Sequence, residues 1–396
     1  MIRRLVRGAA LGVALGLGGA AAAQAQAPEA ALGDLLGAFQ ARYGFPGATA
    51  AIALPTGEIV TAATGLADVE AGTPMRPDTR MLAASIGKTF VAATVLSAVA
   101  EGRIAEADLL ADHLGDRPWF DRLPNAGGIT VGQLLRHAAG LPDHVHMDSF
   151  AAEMSRRLAT GGDALPPEGA IAFVLDAAPL FPPGEGWAYT DTGYLLLGLV
   201  IEAALGGAYD DAVTARFLVP LGLTGTVPSN TRVIPGLAVG YTVPGNPFGM
   251  PPRTMDADGA LVWDPAMEGT GGGLASTSRD LAAWGQALFT GQAMAAPYLD
   301  RLLDGVPVSP DAPDIRYGAG VAIYADTPRG PVYGHGGWIP GYVSSLRHYA
   351  DPGVTVAFQL NTDAGVVDDS SDLVPALEAA LADLAIAMAQ AAGAGR

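Results

Sequence analysis

The chain has 396 residues, half of them hydrophobic, and carries 40 acidic against 22 basic side chains, a net charge of −18. That composition excludes a disordered chain and leaves no Lys/Arg cluster to neutralise phosphates, so no nucleic-acid partner is expected. Cysteine is absent, which excludes a disulfide framework and a lipoprotein anchor.

The first residues, MIRRLVRGAALGVALGLGGAAAAQAQAPE, combine arginines at 3, 4 and 7 with a short run of small apolar residues and two Ala-x-Ala sites. This is the pattern of a secretory signal peptide over 1–25, cleaved near Ala25, and it predicts a periplasmic or secreted protein with no stable membrane anchor. Next, Leu32, Leu35, Leu36 and Phe39 recur at helical spacing. GATAAIALPTGEIVTAATG reads as a hairpin turning at Pro55-Thr56-Gly57, and Ser85 to Glu101 reads as a helix ended by Gly102.

Residues 103–235 carry mostly helical pattern broken by Pro/Gly loops, and 243–273 form a long Pro/Gly-rich loop of the kind that borders binding sites. Strand patterns return in RYGAGVAIYAD, GPVYGHGG, GYVSSLRHYAD and GVTVAFQLNTD, and an alanine-rich helix spans about 370–392. The order predicts an α+β protein: one antiparallel sheet assembled from both ends of a single catalytic domain, 30–392, with a mainly helical lobe inserted at 103–235.

Three short motifs carry candidate chemistry. Lys88 is the one lysine in a chain with 21 arginines, and it follows Ser85 by three residues. A guanidinium stays protonated at any working pH, whereas a desolvated amine can act as a base, so this position asks for lysine specifically. On a helix, i and i+3 share a face, and the positive end of the helix dipole favours a lowered lysine pKa. S-x-x-K alone is nonetheless a weak signal, and GC-biased coding could also make lysine scarce.

Tyr189-Thr190-Asp191 sits where a Pro/Gly loop meets an apolar helical run; its tyrosine could be an acid/base group if a cation lowers its pKa. Tyr333-Gly334-His335-Gly336-Gly337-Trp338 ends a strand pattern, where glycines let a backbone approach a ligand. His144-Val145-His146 with Asp143 and Asp148 is a weaker metal-site pattern, since two histidines in a polar loop are usually just solvated. Ala83 to Gly87 also mimics the nucleophile elbow of α/β-hydrolases, but PDTRMLAA is not the buried strand such an elbow requires.

In order and approximate spacing, the three motifs resemble the serine β-lactamase and penicillin-binding protein superfamily. The likeness is to its branch of class C β-lactamases, D-alanyl-D-alanine carboxypeptidases, D-aminopeptidases and esterases. ITVGQLLRHAAGLPDH, GGGLASTSRDLAAWGQAL and GHGGWIPGYVSSLRHYADPGVTVAFQLNTD resemble the same branch, so the likeness covers about 30–390.

The resemblance implies a β-lactamase/transpeptidase-like fold and a serine hydrolase that needs no cofactor and no metal. Ser85 would be acylated, and Lys88 and Tyr189 would share proton transfer. Asp191, His335, Gly336, Gly337 and Trp338 would bind substrate, with the N–H groups of Ser85 and Trp338 as oxyanion hole and His137 as scaffold. His335 would stand where many relatives have lysine and would assist the tyrosine electrostatically.

Asp191 departs from the usual asparagine. An ionised carboxylate can only accept hydrogen bonds and favours a charged Lys88, which shifts proton abstraction toward Tyr189 and the substrate toward an ester or another small amide. The partner implied is a small-molecule or peptide substrate, a cell-wall peptide among the candidates. A penicillin-binding or sensor protein that acylates with little turnover is the alternative, because acylation and deacylation use nearly the same groups.

Overall fold

The structure is a computed structural model that describes residues 13–246, 248–295, 297–366 and 371–394, with side chains from 28 onward. Residues 1–12 of the expected leader lie outside the described residues.

Helix α1 (Val13–Tyr43) leads into β1 (Gly47–Ala53), β2 (Ile59–Asp68) and the two-residue strands β3 (Thr73–Pro74) and β4 (Met81–Leu82). The helices α2 (Gly87–Ala100), α3 (Leu110–Leu114), α4 (Val131–Leu135), α5 (Asp148–Thr160), α6 (Pro167–Ile171), α7 (Asp191–Leu205) and α8 (Tyr209–Val213) follow. Short β5 (Val227–Pro228) and β6 (Leu274–Ser276) precede α9 (Ser278–Phe289) and α10 (Leu299–Leu302). The chain then runs through β7 (Val306–Pro307), β8 (Ile315–Tyr317), β9 (Ala322–Tyr324), β10 (Val332–Ile339), β11 (Tyr342–Tyr349), β12 (Val354–Leu360) and α11 (Leu373–Ala394).

Nine strands form one sheet in the order β3-β2-β1-β12-β11-β10-β9-β8-β7. The two ends of the chain meet where β1 pairs antiparallel with β12, Ala48 opposite Leu360 and Ala53 opposite Thr355. This antiparallel arrangement is the expected α+β, β-lactamase/transpeptidase-like fold, and it rules out the parallel sheet an α/β-hydrolase would need.

Both central strands are buried along their whole length, so both sheet faces must be covered. On one face Leu32 and Leu36 of α1 pack with Leu377 and Leu381 of α11 over Phe358 and Leu360. By length and composition α11 could cross a membrane, yet here its Leu377 and Leu381 are fully buried on the sheet. The other face carries α9 and, beyond it, the larger core in which Trp284 stacks on Phe90 of α2, ring centroids 4.0 Å apart.

Three local expectations change. Ser85 lies in a tight turn, Ala84–Ile86, rather than inside the α-helix, which begins at Gly87. RYGAGVAIYAD breaks into β8 and β9, with Gly320 at a positive φ of 68° in the turn between them. Finally, β10 continues past the histidine to Ile339, because Gly334 to Ile339 pair along β11 without interruption.

Candidate active site

The serine turn is held from three directions. Ala83 donates its N–H to Leu274 O at 2.8 Å, Ser344 Oγ donates to Ala83 O at 2.7 Å, and Ala84 sits at φ 49°, in the left-handed region. A non-glycine residue there costs on the order of 1–2 kcal/mol, and it turns the next side chain, Ser85, out of the sheet's shadow toward a cavity. Gly87 and Gly337 make this packing possible: a Cβ on Gly87 would stand 1.7 Å from Gly272 O, and one on Gly337 would stand 2.2 Å from Ala83 O. The glycine strand of β10 therefore lies directly against the serine turn.

Lys88, one turn on, is completely buried. Its Nζ donates to Ser85 Oγ at 3.1 Å, to the Gly271 carbonyl, and to Asp191 Oδ1 in an ion pair. An ammonium has three protons, and each has an acceptor. Burial pulls the lysine pKa down, but the opposing attraction of Asp191 and Tyr189 prevails and holds it above the ordinary lysine value. The expectation that the helix start would lower it is thus corrected: the carboxylate outweighs both dipole and desolvation.

Tyr189 brings its ring centroid within 5.0 Å of Lys88 Nζ, and its hydroxyl interacts with both Lys88 and Ser85. Removal from water pushes the phenol up to about 12, against the lowering influence of Lys88. Here too the expected direction reverses, so Tyr189 rests as a phenol, suited to donate a proton rather than to take one. Its ring is fixed by His137, 4.3 Å away between centroids, which is itself buried against Tyr194 and Tyr317. The backbone N–H of Thr190 donates to His137 Nδ1 at 3.2 Å, tying the loop before α7 to that aromatic stack.

His335 is 6% exposed. Its Nδ1 lies against the Gly336 carbonyl, which can only accept, so the proton resides on Nδ1 and Tyr317 O–H donates to Nε2 at 2.8 Å. Burial, and then Lys88, take its pKa down to about 3. A neutral imidazole with both nitrogens occupied cannot provide the positive charge expected in place of a lysine. It serves as a rigid wall behind Tyr189, ring centroids 6.0 Å apart.

Two further carboxyls belong to the site: Asp143, which the sequence offered only within a metal-site pattern, and Glu268, which it did not offer at all. Asp143 Oδ1 accepts the N–H of Asp191 at 3.2 Å at the start of α7, and burial, followed by Asp191, raises it to about 6. Glu268, on the turn Pro265–Gly271, lines the same cavity; burial raises it to about 8, with Lys88 lowering and Asp191 raising it. As for the histidine pair beside Asp143, His144 Nδ1 engages Thr192 Oγ1 at 2.9 Å while the His146 side chain is 83% exposed. No group of three or more metal-ligating side chains occurs among the described residues.

The cavity measures about 480 Å³ and is bounded by Ser85, Tyr189, Asp191, His335, Gly336, Gly337 and Trp338. Its outer walls are apolar: Phe150 and Met154 from α5, Phe248, Trp263 and Met267 from the long Pro/Gly-rich loop. The structure thus brings every expected site residue to one place.

A serine–lysine–tyrosine cluster, its lysine fully buried and its serine and tyrosine facing the cavity, at the junction of an antiparallel sheet and a helical lobe defines the class of serine acyl-transfer proteins with a transpeptidase-like fold. The chain belongs to the Beta-lactamase family, which it matches over residues 32–381. It is 27% identical over 308 residues to a penicillin-binding protein of Bacillus subtilis (strain 168), covering 76% of this chain and 64% of that one. To a D-aminopeptidase of Brucella anthropi it is 26% identical over 333 residues, covering 82% of this chain and 57% of that one. The chain therefore spans less than two thirds of the length of these two relatives. Among solved structures, a D-stereospecific amidohydrolase from Streptomyces sp. superimposes with a TM-score of 0.72 at 28% identity, over 83% of this chain and 94% of that one.

Proposed function

We propose that this protein hydrolyses a small carboxylic ester or amide through an acyl-enzyme on Ser85. The observation that carries the reading is the contact of Ser85 Oγ with a lysine that is wholly buried and paired to a carboxylate, at the floor of an apolar cavity.

Proton movements follow from the cluster. At rest Lys88 is an ammonium and Asp191 a carboxylate. When substrate fills the cavity and displaces water, the charge pair is less favoured, and one proton passes from Lys88 Nζ to Asp191. The free amine takes the proton of Ser85 Oγ–H as the oxygen attacks the substrate carbonyl. Collapse of the tetrahedral intermediate breaks the bond to the leaving group, which takes the Tyr189 proton. Lys88 restores that proton to Tyr189, and Asp191 returns its own to Lys88. Serine and substrate give acyl-serine and protonated leaving group, and water repeats the sequence to release the acid.

The relatives include a D-aminopeptidase and a D-stereospecific amidohydrolase, which supports D-amino-acid amides and short peptides, including cell-wall peptides, as one substrate class beside esters. The leader pattern supports a periplasmic or secreted location.

The test is a panel of p-nitrophenyl esters, D-amino-acid amides, a D-Ala-D-Ala peptide and a cephalosporin, with Ser85→Ala as control. Expected are steady turnover of an ester or amide, loss of that rate in the control, and a mass increase on the Ser85 peptide after rapid quenching. Rates that persist in Ser85→Ala would overturn the assignment, and one equivalent of product without further turnover would favour a sensor.

A further inference from the structure

The cavity borders the open half of β10. Strand β9 pairs with β10 only from Val332 to Gly334, so His335 to Ile339 have β11 on one side and cavity on the other. Gly336 leaves a gap there, since a Cβ at that position would lie 3.9 Å from Arg347 Nη2. Arg347 belongs to β11, opposite Gly334, and it lines the cavity with its side chain 13% exposed. Its Nη2 is 3.0 Å from Glu378 Oε1 of α11, and the same carboxylate accepts from Ser345 Oγ. Arg347 Nη1 also donates to Leu346 O at 3.1 Å.

Arg347 is the one arginine among the described residues that bound the cavity, and Lys88 spends its three protons on Ser85, Asp191 and Gly271. His335 has both nitrogens occupied, and His146 stands mostly in solvent at the rim. Against this, four carboxyls share the lining: Asp143, Asp191, Glu268 and Glu378. A carboxylate entering the cavity has one permanent cation to bind, and that cation is already taken.

We infer that Glu378 is a specificity-determining residue: it occupies the Arg347 guanidinium beside Gly336 and so keeps carboxylate-bearing substrates out, leaving the site to neutral or amine-bearing esters and amides. This rests on the hydrolase reading for its biological meaning, but the selection itself is a property of binding. A carboxylate would have to displace Glu378 from a good hydrogen-bonded pair, whereas a carboxamide meets no such barrier.

The experiment measures binding of 4-phenylbutyrate and 4-phenylbutyramide by titration calorimetry to Ser85→Ala protein, where no turnover can occur. The amide is expected to bind the more tightly. Adding Glu378→Gln should move the acid-to-amide affinity ratio about ten-fold toward the acid, as freed charge pairs do at protein interfaces. Glu378→Ala should act in the same direction, and adding Arg347→Met to Glu378→Gln should cancel the gain. An unchanged ratio in both Glu378 variants overturns the inference, as does a gain that survives loss of Arg347 or failure of both compounds to bind any variant. The charge switch in a protein that turns over no ester or amide would keep the inference and sink the hydrolase reading; turnover without the switch would do the reverse.

Discussion

Lys88 and Asp191 form an ion pair that is sealed on one side only: the lysine is fully buried, while a quarter of the aspartate side chain remains exposed. The geometry makes the aspartate the route by which the buried amine exchanges its charge, and the ammonium has no spare proton to lose elsewhere. In Asp191→Asn the largest attraction that raises the Lys88 pKa disappears and desolvation is opposed by Tyr189 only, so that pKa falls. The amine is then present at lower pH. We expect the rising limb of kcat/KM for a p-nitrophenyl ester to move to lower pH, and acylation by a chromogenic cephalosporin to accelerate about ten-fold at neutral pH. An unmoved pH profile would show that Asp191 does not govern the lysine.

Lys88→Arg preserves charge and can preserve the pairing with Asp191, yet a guanidinium cannot give up its proton in a protein. Turnover should fall by about 10³-fold or more, with no acyl-enzyme detected by mass spectrometry, while far-UV circular dichroism stays native. Wild-type rates in this variant would remove Lys88 from proton transfer.

Tyr189 is held as a phenol by burial, which fits it to protonate a leaving group. A p-nitrophenolate leaves without help, whereas an amide nitrogen needs a proton. Tyr189→Phe should therefore lower amide hydrolysis by about 10²–10⁴-fold and p-nitrophenyl ester hydrolysis much less. Equal losses on both substrates would mean that the tyrosine acts before the tetrahedral intermediate collapses.

The reacting groups were legible because three motifs, each weak alone, stand together in an order and approximate spacing that resemble one superfamily: a solitary lysine after a serine, a tyrosine at a loop-to-helix junction, a glycine-flanked histidine. Their electrostatic states were not. His335 reads as a possible cation, yet it is neutral because burial in the core, and then the Lys88 charge, disfavour a second proton, while Tyr317, 18 residues away, occupies its Nε2. Glu268 gave no signal at all, since only the fold brings the turn Pro265–Gly271 against Lys88 and Asp191. Short motifs encode which atoms meet; the dielectric around them is a property of the whole packed chain.

Gly337 shows the same division. Its place in His335-Gly336-Gly337 suggested close approach to a ligand, but the atom it approaches is Ala83 O, 2.2 Å from where a Cβ would stand. Both are backbone-anchored, Ala83 through Leu274 and Ser344, so neither can yield cheaply. Gly337→Ala should displace the serine turn and cut acylation at least as severely as it cuts stability, by roughly 1–3 kcal/mol for an overpacked site. Native acylation rates in Gly337→Ala would show that the turn tolerates movement.

Glu268 supplies a test that is independent of turnover. Its carboxyl titrates at about 8 when folded, because burial disfavours its charge, against an ordinary glutamate value near 4.5 when unfolded. Between those two pH values the folded protein holds a proton that the unfolded chain has released, so this group makes stability fall as pH rises through that window. Below about 4.5 both states are protonated and the contribution is flat. Glu268→Gln keeps the shape and removes the titration. Its melting temperature, measured from pH 5 to pH 8.5, should decline less than that of the wild type, with the two proteins nearly equal at pH 5 and the variant the more stable at pH 8.5. Parallel curves would mean that the Glu268 carboxyl is ionised throughout, and that Lys88 is shared between two carboxylates instead of being paired to Asp191 alone.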